Sequence, residues 1–322
     1  MSGPAVVCIG ETMAVLSPTD TAPLARQTTL ALTVGGAESN VACGLAALGH
    51  RVAWLSRVGD DPLGRRVLDE LTAHGVDVSG VAVDPGRPTG VYFKDPGPER
   101  TGAYYYRRDS AATLMGPELA GLPFLRSARV VHLSGITPAL SDRCADLVAE
   151  IVARRAVPGP MVSFDVNHRP ALWRHRPAEA APVLLELARG ADVVFVGRDE
   201  AETLWGAGKA EEIRDLLRPA SLVVVKDAAH GATSYARDGE ETFVPTPASR
   251  VVERIGAGDA FAAGYLAALL EDRDAIQRLR LGHLMAAASL RTHGDVPAVP
   301  PRRELDRHLA LAHGDWSALR LP

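Results

Sequence analysis

Short apolar runs alternate with longer segments of helical periodicity along most of the chain. Strands buried on both faces of a parallel sheet are apolar at consecutive positions, a pattern found at residues 6–9, 52–58, 130–133, 161–165, 193–196 and 222–226. Helices are predicted at residues 37–48, 62–74, 142–155, 198–204, 257–270 and 276–291. This alternation predicts an α/β fold in a single domain over residues 1–322, with a doubly wound, mostly parallel sheet and helices on both faces.

Two segments, residues 12–33 and 88–108, have strand-like patterns without intervening helices. They include the aromatic runs Val91-Tyr92-Phe93 and Tyr104-Tyr105-Tyr106. Their tyrosine and arginine content favours a small β-sheet lid over one edge of the main sheet. Plain edge hairpins are the alternative interpretation.

The composition argues against nucleic acid and anionic membranes as partners. Of the 322 residues, 47% are hydrophobic, the net charge is −4, and no basic stretch is interleaved with aromatic residues. Cys8, Cys43 and Cys144 are widely spaced in apolar sequence, which is typical of reduced core thiols. The amino terminus lacks the basic region of a signal peptide, and no apolar run approaches the ~20 residues of a spanning helix. We therefore expect a cytoplasmic protein.

The segment Gly256-Ala257-Gly258-Asp259 runs directly into an apolar helix. Its two glycines let the backbone turn sharply and approach a ligand closely. The first N–H groups of a helix have no carbonyl partner within it and lie at the positive end of the helix dipole, so they form an anion site. Asp259 in that first turn is suited to deprotonate a hydroxyl that attacks a phosphate. An ordinary acid at a helix N-terminus is the alternative.

Polar residues also follow several predicted strands, which is where ligands bind in open parallel sheets. Asn167, Arg169 and Lys226 lie at the ends of such strands, and Gly35, Gly36 and Asn40 lie at the start of a predicted helix. Adjacent glycines let a sugar approach the backbone, amide side chains bond hydroxyls, and a lysine at a strand end can face phosphates. Ordinary turns and solvated strand ends are the alternative. No Walker A, strand-linked dinucleotide, nucleophile-elbow or His-Glu-x-x-His sequence is present.

These motifs resemble the ribokinase-like (PfkB) carbohydrate kinases along nearly the whole chain. Gly35, Gly36 and Asn40, continued by residues 58–64, are similar to the N-terminal sugar-binding signature of that family. Residues 256–261, Gly-Ala-Gly-Asp-Ala-Phe, resemble its C-terminal signature. Within the family the likeness is greatest to 2-keto-3-deoxygluconate kinases, and it is carried by residues 36–42, 89–93, 105–107, 110–112, 132–140 and 163–170.

The resemblance implies a kinase that uses ATP and Mg²⁺ on a sugar or sugar acid. Asp259 is expected to be the general base, with Gly256, Ala257 and Gly258 supplying the anion hole. The expected sugar contacts are Gly35, Gly36, Asn40, Tyr92, Tyr105, Arg107, Asn167, Arg169, Asp259 and Asp295. The expected nucleotide contacts are Lys226, Gly231, Gly256, Ala257 and Gly258, and Glu200 is expected to reach the metal through water. Family habit also suggests a homodimer or higher homo-oligomer paired through the edge of the small sheet.

The resemblance implies 2-keto-3-deoxygluconate as the substrate, phosphorylated at its primary hydroxyl to the 6-phosphate, and arginine chemistry independently favours a sugar acid over a neutral sugar. A guanidinium is a planar fork that matches a carboxylate, and a hydrogen bond to a charged group contributes about 1.5–3 kcal/mol. Arg107 on the lid segment and Arg169 at a strand end are expected to embrace such a group from two sides. A kinase for a neutral sugar or a nucleoside is the alternative, followed by a catalytically weak sugar-binding regulatory protein.

Two positions depart from the family pattern in ways that affect cation binding. Glu253-Arg254 stands where an Asp-Thr pair usually precedes the C-terminal signature, so a potassium site is in doubt. The Arg254 guanidinium is expected to replace the charge of that monovalent cation. Gly197 stands where an Asn usually lies three residues before Glu200, which puts the water shell of magnesium near Glu200 in doubt.

Overall fold

An eight-stranded sheet forms the centre of the computed structural model, which describes residues 3–97, 102–218, 220–291 and 299–321. From one edge to the other its strands are β14 (Glu241–Pro245), β13 (Gly231–Ala236), β12 (Leu222–Asp227), β11 (Val193–Gly197), β10 (Met161–Asp165), β9 (Val130–Ser134), β1 (Val6–Ile9) and β4 (Val52–Leu55). The strands from β4 to β12 pair in parallel, and β13 and β14 add an antiparallel edge. The predicted doubly wound, mostly parallel sheet is confirmed.

Helices cover both faces of this sheet. They are α1 (Ala37–Ala47), α2 (Pro62–Ala73), α3 (Pro123–Ser127), α4 (Asp142–Val152), α5 (Pro170–Trp173), α6 (Pro177–Gly190), α7 (Arg198–Trp205), α8 (Ala210–Leu216), α9 (Ala257–Leu270), α10 (Ala275–Leu290), α11 (Arg302–Leu309) and α12 (His313–Ser317). Alternate residues of β1 enter different cores: Val6 and Cys8 pack with α1, α9 and α10, whereas Val7 and Ile9 pack with α4 and α6. None of the described helices has the length and apolar composition that a bilayer span requires.

The structure differs from the sequence predictions in several elements, including the unpredicted strands β13 and β14 and helices α8 and α11. The strand expected at residues 52–58 is divided at Ser56, because Arg57–Gly59 (β5) leaves the main sheet and pairs with Ala82–Asp84 (β6). Helix α6 was not predicted, and it carries an internal proline, Pro182, that obscures its pattern. Its buried residues Ala180, Leu184 and Leu187 nevertheless repeat at helical spacing.

A separate four-stranded sheet is built from two segments of the chain, one between β1 and α1 and the other after β6. It has the order β3 (Leu30–Gly35), β2 (Met13–Pro18), β7 (Val91–Asp95) and β8 (Gly102–Tyr106). Its strands come from the two segments that lack helices in the sequence pattern, and its buried side is formed by Met13, Val15 and Tyr92. Since β2 leaves the carboxyl end of β1 and β3 leads into α1, this small sheet adjoins the edge where parallel sheets bind ligands. Its closure as a lid stays a prediction.

Helix α9 is buried along its whole length after the first turn, from Ala260 to Leu270. Its small residues allow α10 to pack closely against it. At Gly264 a β-carbon would lie 2.5 Å from the carbonyl oxygen of Leu281 in α10. The position of the α9 N-terminus therefore depends on a tight contact between two helix backbones.

We expect Gly264→Ala to destabilise the fold by roughly 1–3 kcal/mol, because the added methyl forces the backbones of α9 and α10 apart. Replacing glycine by alanine within a helix would by itself stabilise the helix by about 1 kcal/mol, and we expect the cost of overpacking to exceed that gain. Gly121→Ala is the control, since a β-carbon there meets no atom within 4 Å. Thermal unfolding checks this, and a melting temperature for Gly264→Ala at or above the wild-type value would contradict it.

Candidate active site

The Asp259 carboxylate lies in the first turn of α9, just after a left-handed glycine. Gly256 has φ 84° and caps the helix, which begins at Ala257. Asn40 of α1 donates its amide to Oδ2 of Asp259 at 2.8 Å. The amide of Asn167, which follows β10, approaches Oδ1 at 3.5 Å, a long contact. Asn167 itself has φ 39°, so its backbone turns sharply to bring the amide inward. Three segments distant in sequence thus converge on one carboxylate.

Burial raises the pKa of Asp259 to about 7. The hydrogen bond from Asn40 opposes the rise, whereas the nearby Asp165 carboxylate adds to it. The positive charges of Arg169 and Lys226 lower the pKa in turn. A carboxylate with a pKa near neutrality can both accept and release a proton at physiological pH.

Backbone donors lie beside this carboxylate. The N–H of Ala257 makes a long bond of 3.4 Å to the carbonyl of Arg254. Within the described residues, the N–H groups of Gly258 and Asp259 have no acceptor, as expected in the first turn of a helix. Gly258 is exposed, and a β-carbon on it would lie 3.5 Å from the Lys226 ammonium. The N–H groups of Gly258 and Asp259, which have no acceptor in the described structure, and the Lys226 ammonium thus lie close together at the N-terminus of α9.

Lys226, at the end of β12, is held by acidic neighbours. Its Nζ donates to Oδ2 of Asp165 at 2.8 Å, and its side chain is 19% exposed. Although burial favours the neutral amine, the Asp165 and Glu200 carboxylates raise the pKa of Lys226. The second oxygen of Asp165, Oδ1, is buried without a hydrogen-bond partner in the described structure. Asp165 therefore positions the lysine and keeps one acceptor for a further ligand.

Glu200, in the first turn of α7, has a structural task. Its Oε2 accepts the N–H of Gly197 at 2.8 Å, and its Oε1 accepts the N–H of His168 at 3.0 Å. Burial raises the pKa of Glu200, which the Lys226 ammonium opposes. The carboxylate thus ties the turn after β11 to the turn after β10. No group of three metal-ligating side chains occurs among the residues that the structure describes.

Arg107, next to the small sheet, is already paired. Its Nε donates to Oε2 of Glu11 at 2.6 Å, and one terminal nitrogen contacts the same oxygen. Ser110 binds the other oxygen of Glu11. The side chains of Arg107 and Glu11 are 10% and 1% exposed. The Tyr105 ring lies 5.7 Å from the guanidinium carbon and 5.3 Å from the Tyr92 ring, so Tyr92, Tyr105 and Arg107 form one cluster.

Sequence reasoning missed Glu11, because nothing local distinguishes it from any acid after a strand. The available signal was a Gly-Glu pair directly after the apolar run of β1. Gly35 pairs with Met13 in the small sheet, and a β-carbon at Gly36 would meet the carbonyl of Glu11 at 2.2 Å. Gly36 is thus required by close packing against the segment that carries Glu11.

Glu38 is a second buried carboxyl that the sequence did not single out. Its Oε1 accepts the hydroxyls of Ser134 and Thr137 at 2.7 and 2.9 Å, while its Oε2 has no partner among the described residues. Burial raises its pKa. A glutamate among small and apolar residues after a double glycine was the available signal. Through Ser134 it ties the start of α1 to the end of β9.

The remaining predicted residues do not join this cluster closely. Arg169 is exposed, and its guanidinium donates to the backbone carbonyl of His168 at 3.2 Å. Gly231 pairs with Asp227 at the start of β13, and a β-carbon there would meet the Phe243 ring at 2.5 Å, so packing alone explains that glycine. Its nucleotide contact stays a prediction. Asp295 lies outside the described residues.

Comparison with known proteins shows which family the chain belongs to. Residues 4–302 match the family model described as pfkB family carbohydrate kinase. The chain is 36% identical to the 2-dehydro-3-deoxygluconokinase of Bacillus subtilis (strain 168) over 314 residues, 94% of this chain and 95% of that protein. It is 34% identical over 317 residues to the enzyme of the same name from Thermoproteus tenax, covering 94% of each.

A solved structure agrees with these relatives. The PfkB protein from Polaromonas sp. JS666 superposes with a TM-score of 0.83 at 34% identity, covering 94% of this chain and 99% of that one. The family match, the relatives and the fold all extend over nearly the whole chain. The chain therefore belongs to the pfkB family of carbohydrate kinases, which are phosphotransferases.

Proposed function

We propose that this protein transfers the terminal phosphoryl group of ATP to the primary hydroxyl of 2-keto-3-deoxygluconate, giving the 6-phosphate. The observation that carries the proposal is the Asp259 carboxylate, oriented by Asn40 beside the open amides of Gly258 and Asp259. The names of the two curated relatives support the substrate, since 2-dehydro-3-deoxygluconate is the same compound.

In this mechanism Asp259 accepts the hydroxyl proton as the sugar oxygen bonds to the terminal phosphorus. The bond from that phosphorus to the bridging oxygen breaks, and ADP leaves with its electron pair. The amides of Gly258 and Asp259, with the long-bonded N–H of Ala257, stabilise the negative charge that spreads over the transferred group. Lys226 adds positive charge on the same side.

Magnesium fits this cleft as a companion of the nucleotide phosphates. When bound, it neutralises phosphate charge during transfer. Asp165 is the side chain suited to hold its water shell, because its Oδ1 is buried without a partner in the described structure. Both oxygens of Glu200 accept backbone N–H groups, so Glu200 supports the turns around the cleft.

Glu11 fixes the orientation of Arg107 and so prepares it for a substrate carboxylate. Nε and one terminal nitrogen of the guanidinium are used on Glu11. The other terminal nitrogen, Nη1, has no acceptor among the described residues, and it is the edge that a sugar acid would meet. Tyr105, under the guanidinium and 43% exposed, extends the same wall toward solvent.

A kinase for a neutral sugar is the second candidate, and one observation favours it. The Glu11 carboxylate cancels the charge of Arg107, so the pair offers hydrogen bonds without net positive charge. The two candidates differ in whether the Arg107 edge binds a carboxylate or a hydroxyl.

Substituting Asn for Asp259 tests the general base. We expect Asp259→Asn to lower kcat by ~10²–10⁴, because the amide cannot accept the proton. The dissociation constant of the sugar should change little. The control is Asp142→Asn, an exposed acid in the first turn of α4. Coupled ADP-release kinetics and calorimetric sugar titration measure both quantities, and near wild-type turnover of Asp259→Asn would exclude this base.

The raised pKa of Asp259 predicts a pH dependence. The base must be ionised, and its pKa is about 7, so kcat/KM should fall about tenfold per pH unit below neutrality. The Asn40 hydrogen bond lowers this pKa, so Asn40→Ala should move the acidic limb to higher pH. Each pH profile of kcat/KM is normalised to its own maximum. If the acidic limb of Asn40→Ala lies at the same pH as that of the wild type, Asp259 is not the group that titrates.

A panel of acidic and neutral sugars separates the two candidate substrates. We expect higher kcat/KM with 2-keto-3-deoxygluconate than with fructose or ribose, and loss of this preference in the double variant Glu11→Gln, Arg107→Ala. Removing Arg107 should raise KM for the sugar acid about tenfold to a hundredfold, with KM for ATP unchanged. The double variant is needed because Arg107→Ala alone would leave the buried Glu11 carboxylate without its cationic partner. Equal losses for ATP and sugar would make Arg107 structural, and a wild-type preference for neutral sugars would favour the second candidate.

A further inference from the structure

The small sheet contacts the loop that leads to the anion site through an ion pair. Lys94 of β7 has a side chain that is 5% exposed, and its Nζ lies 4.0 Å from Oε2 of Glu253. Glu253 is 13% exposed on its side chain. Its Oε1 accepts the N–H groups of Arg254 and Ile255 at 2.9 and 3.3 Å. Ile255 directly precedes Gly256, so one carboxylate braces this loop and binds an ammonium from the small sheet.

These contacts do not fit a monovalent cation at the Glu253–Arg254 pair. Such a cation needs oxygen ligands with free lone pairs directed at it. Oε1 of Glu253 is occupied by two backbone donors, and Oε2 faces an ammonium that would repel a second positive charge. The side chain expected to replace the cation, Arg254, is exposed and makes no ion pair among the described residues. The charge at this loop comes from Lys94 instead.

We propose that Lys94 is a positioning residue whose ammonium takes the place of a monovalent cation beside the phosphate-binding loop. The ion pair holds the loop before Gly256 in the conformation that leaves the first amides of α9 open. Phosphoryl transfer then needs no added potassium. This inference rests on the proposed function, because it concerns the same loop.

The test compares wild type and Lys94→Gln in potassium chloride and in tetramethylammonium chloride at equal ionic strength. Wild-type kcat should be the same in both salts. Lys94→Gln should lose kcat by roughly tenfold to a hundredfold in tetramethylammonium, as for other supporting contacts, and recover on addition of potassium or ammonium ions. KM for the sugar should stay nearly constant. Lys209→Gln is the control, since the side chain of that lysine, just before α8, is 70% exposed and the variant should behave as wild type.

A second readout keeps this inference separate from the substrate assignment. The melting temperature with ATP and magnesium is measured in both salts, without any sugar. Potassium should leave the wild-type value unchanged and raise that of Lys94→Gln. A wild-type enzyme whose kcat or melting temperature rises with potassium overturns the proposal, even if Lys94→Gln fails to fold. Failure to phosphorylate any sugar acid, with a wild-type melting temperature indifferent to potassium, counts against the proposed substrate alone.

Discussion

The conflict between burial and charge at Asp259 is the constraint on which the rest of the site depends. A carboxylate enclosed by protein is stabilised as an anion only by the hydrogen bonds and cations around it. Asn40 supplies a direct bond at 2.8 Å, and Arg169 and Lys226 supply charge at greater distance. The result is a pKa of about 7, far from that of an exposed aspartate but within reach of physiological pH. A better-solvated carboxylate would ionise more readily and be a weaker base.

The balance between burial and charge also applies to Lys226, Asp165 and Glu200, on the other side of the cleft. Lys226 is kept charged by Asp165, and Glu200 both adds to that negative field and fastens the turns after β10 and β11. Removing one member therefore changes the protonation of the others, since buried charges are tolerated only in pairs. In the proposed function, binding of an anionic nucleotide with its metal would alter this network. The buried Oδ1 of Asp165, which has no hydrogen-bond partner in the described structure, therefore indicates ligand binding better than any single ion pair does.

Predictions from the sequence succeeded where the signal is local. The α9 bounds and the strands at residues 6–9 and 161–165 follow from apolar runs. Ion pairs between distant segments were not predictable. Glu11 and Arg107 are 96 residues apart, and only the fold brings Lys94 against Glu253. The division of the strand at residues 52–58 is likewise set by tertiary pairing of β5 with β6.

The pairing of Arg107 with Glu11 changes the physical basis of substrate selection. A free guanidinium would attract any anion through net charge, including the phosphates of ATP, and would do so over a distance of several ångströms. The Arg107 guanidinium, whose charge is balanced by Glu11, attracts a carboxylate only at hydrogen-bond range. It does so through its unpaired N–H edge, whose direction is fixed by Glu11 and Tyr105. For the proposed substrate, selectivity for a sugar acid over a neutral sugar would then depend on geometry, and it would be less sensitive to salt than simple charge attraction. In the proposed function, the buried carboxylate of Glu11 would therefore keep the sugar end of the cleft from competing with the α9 N-terminus for phosphate.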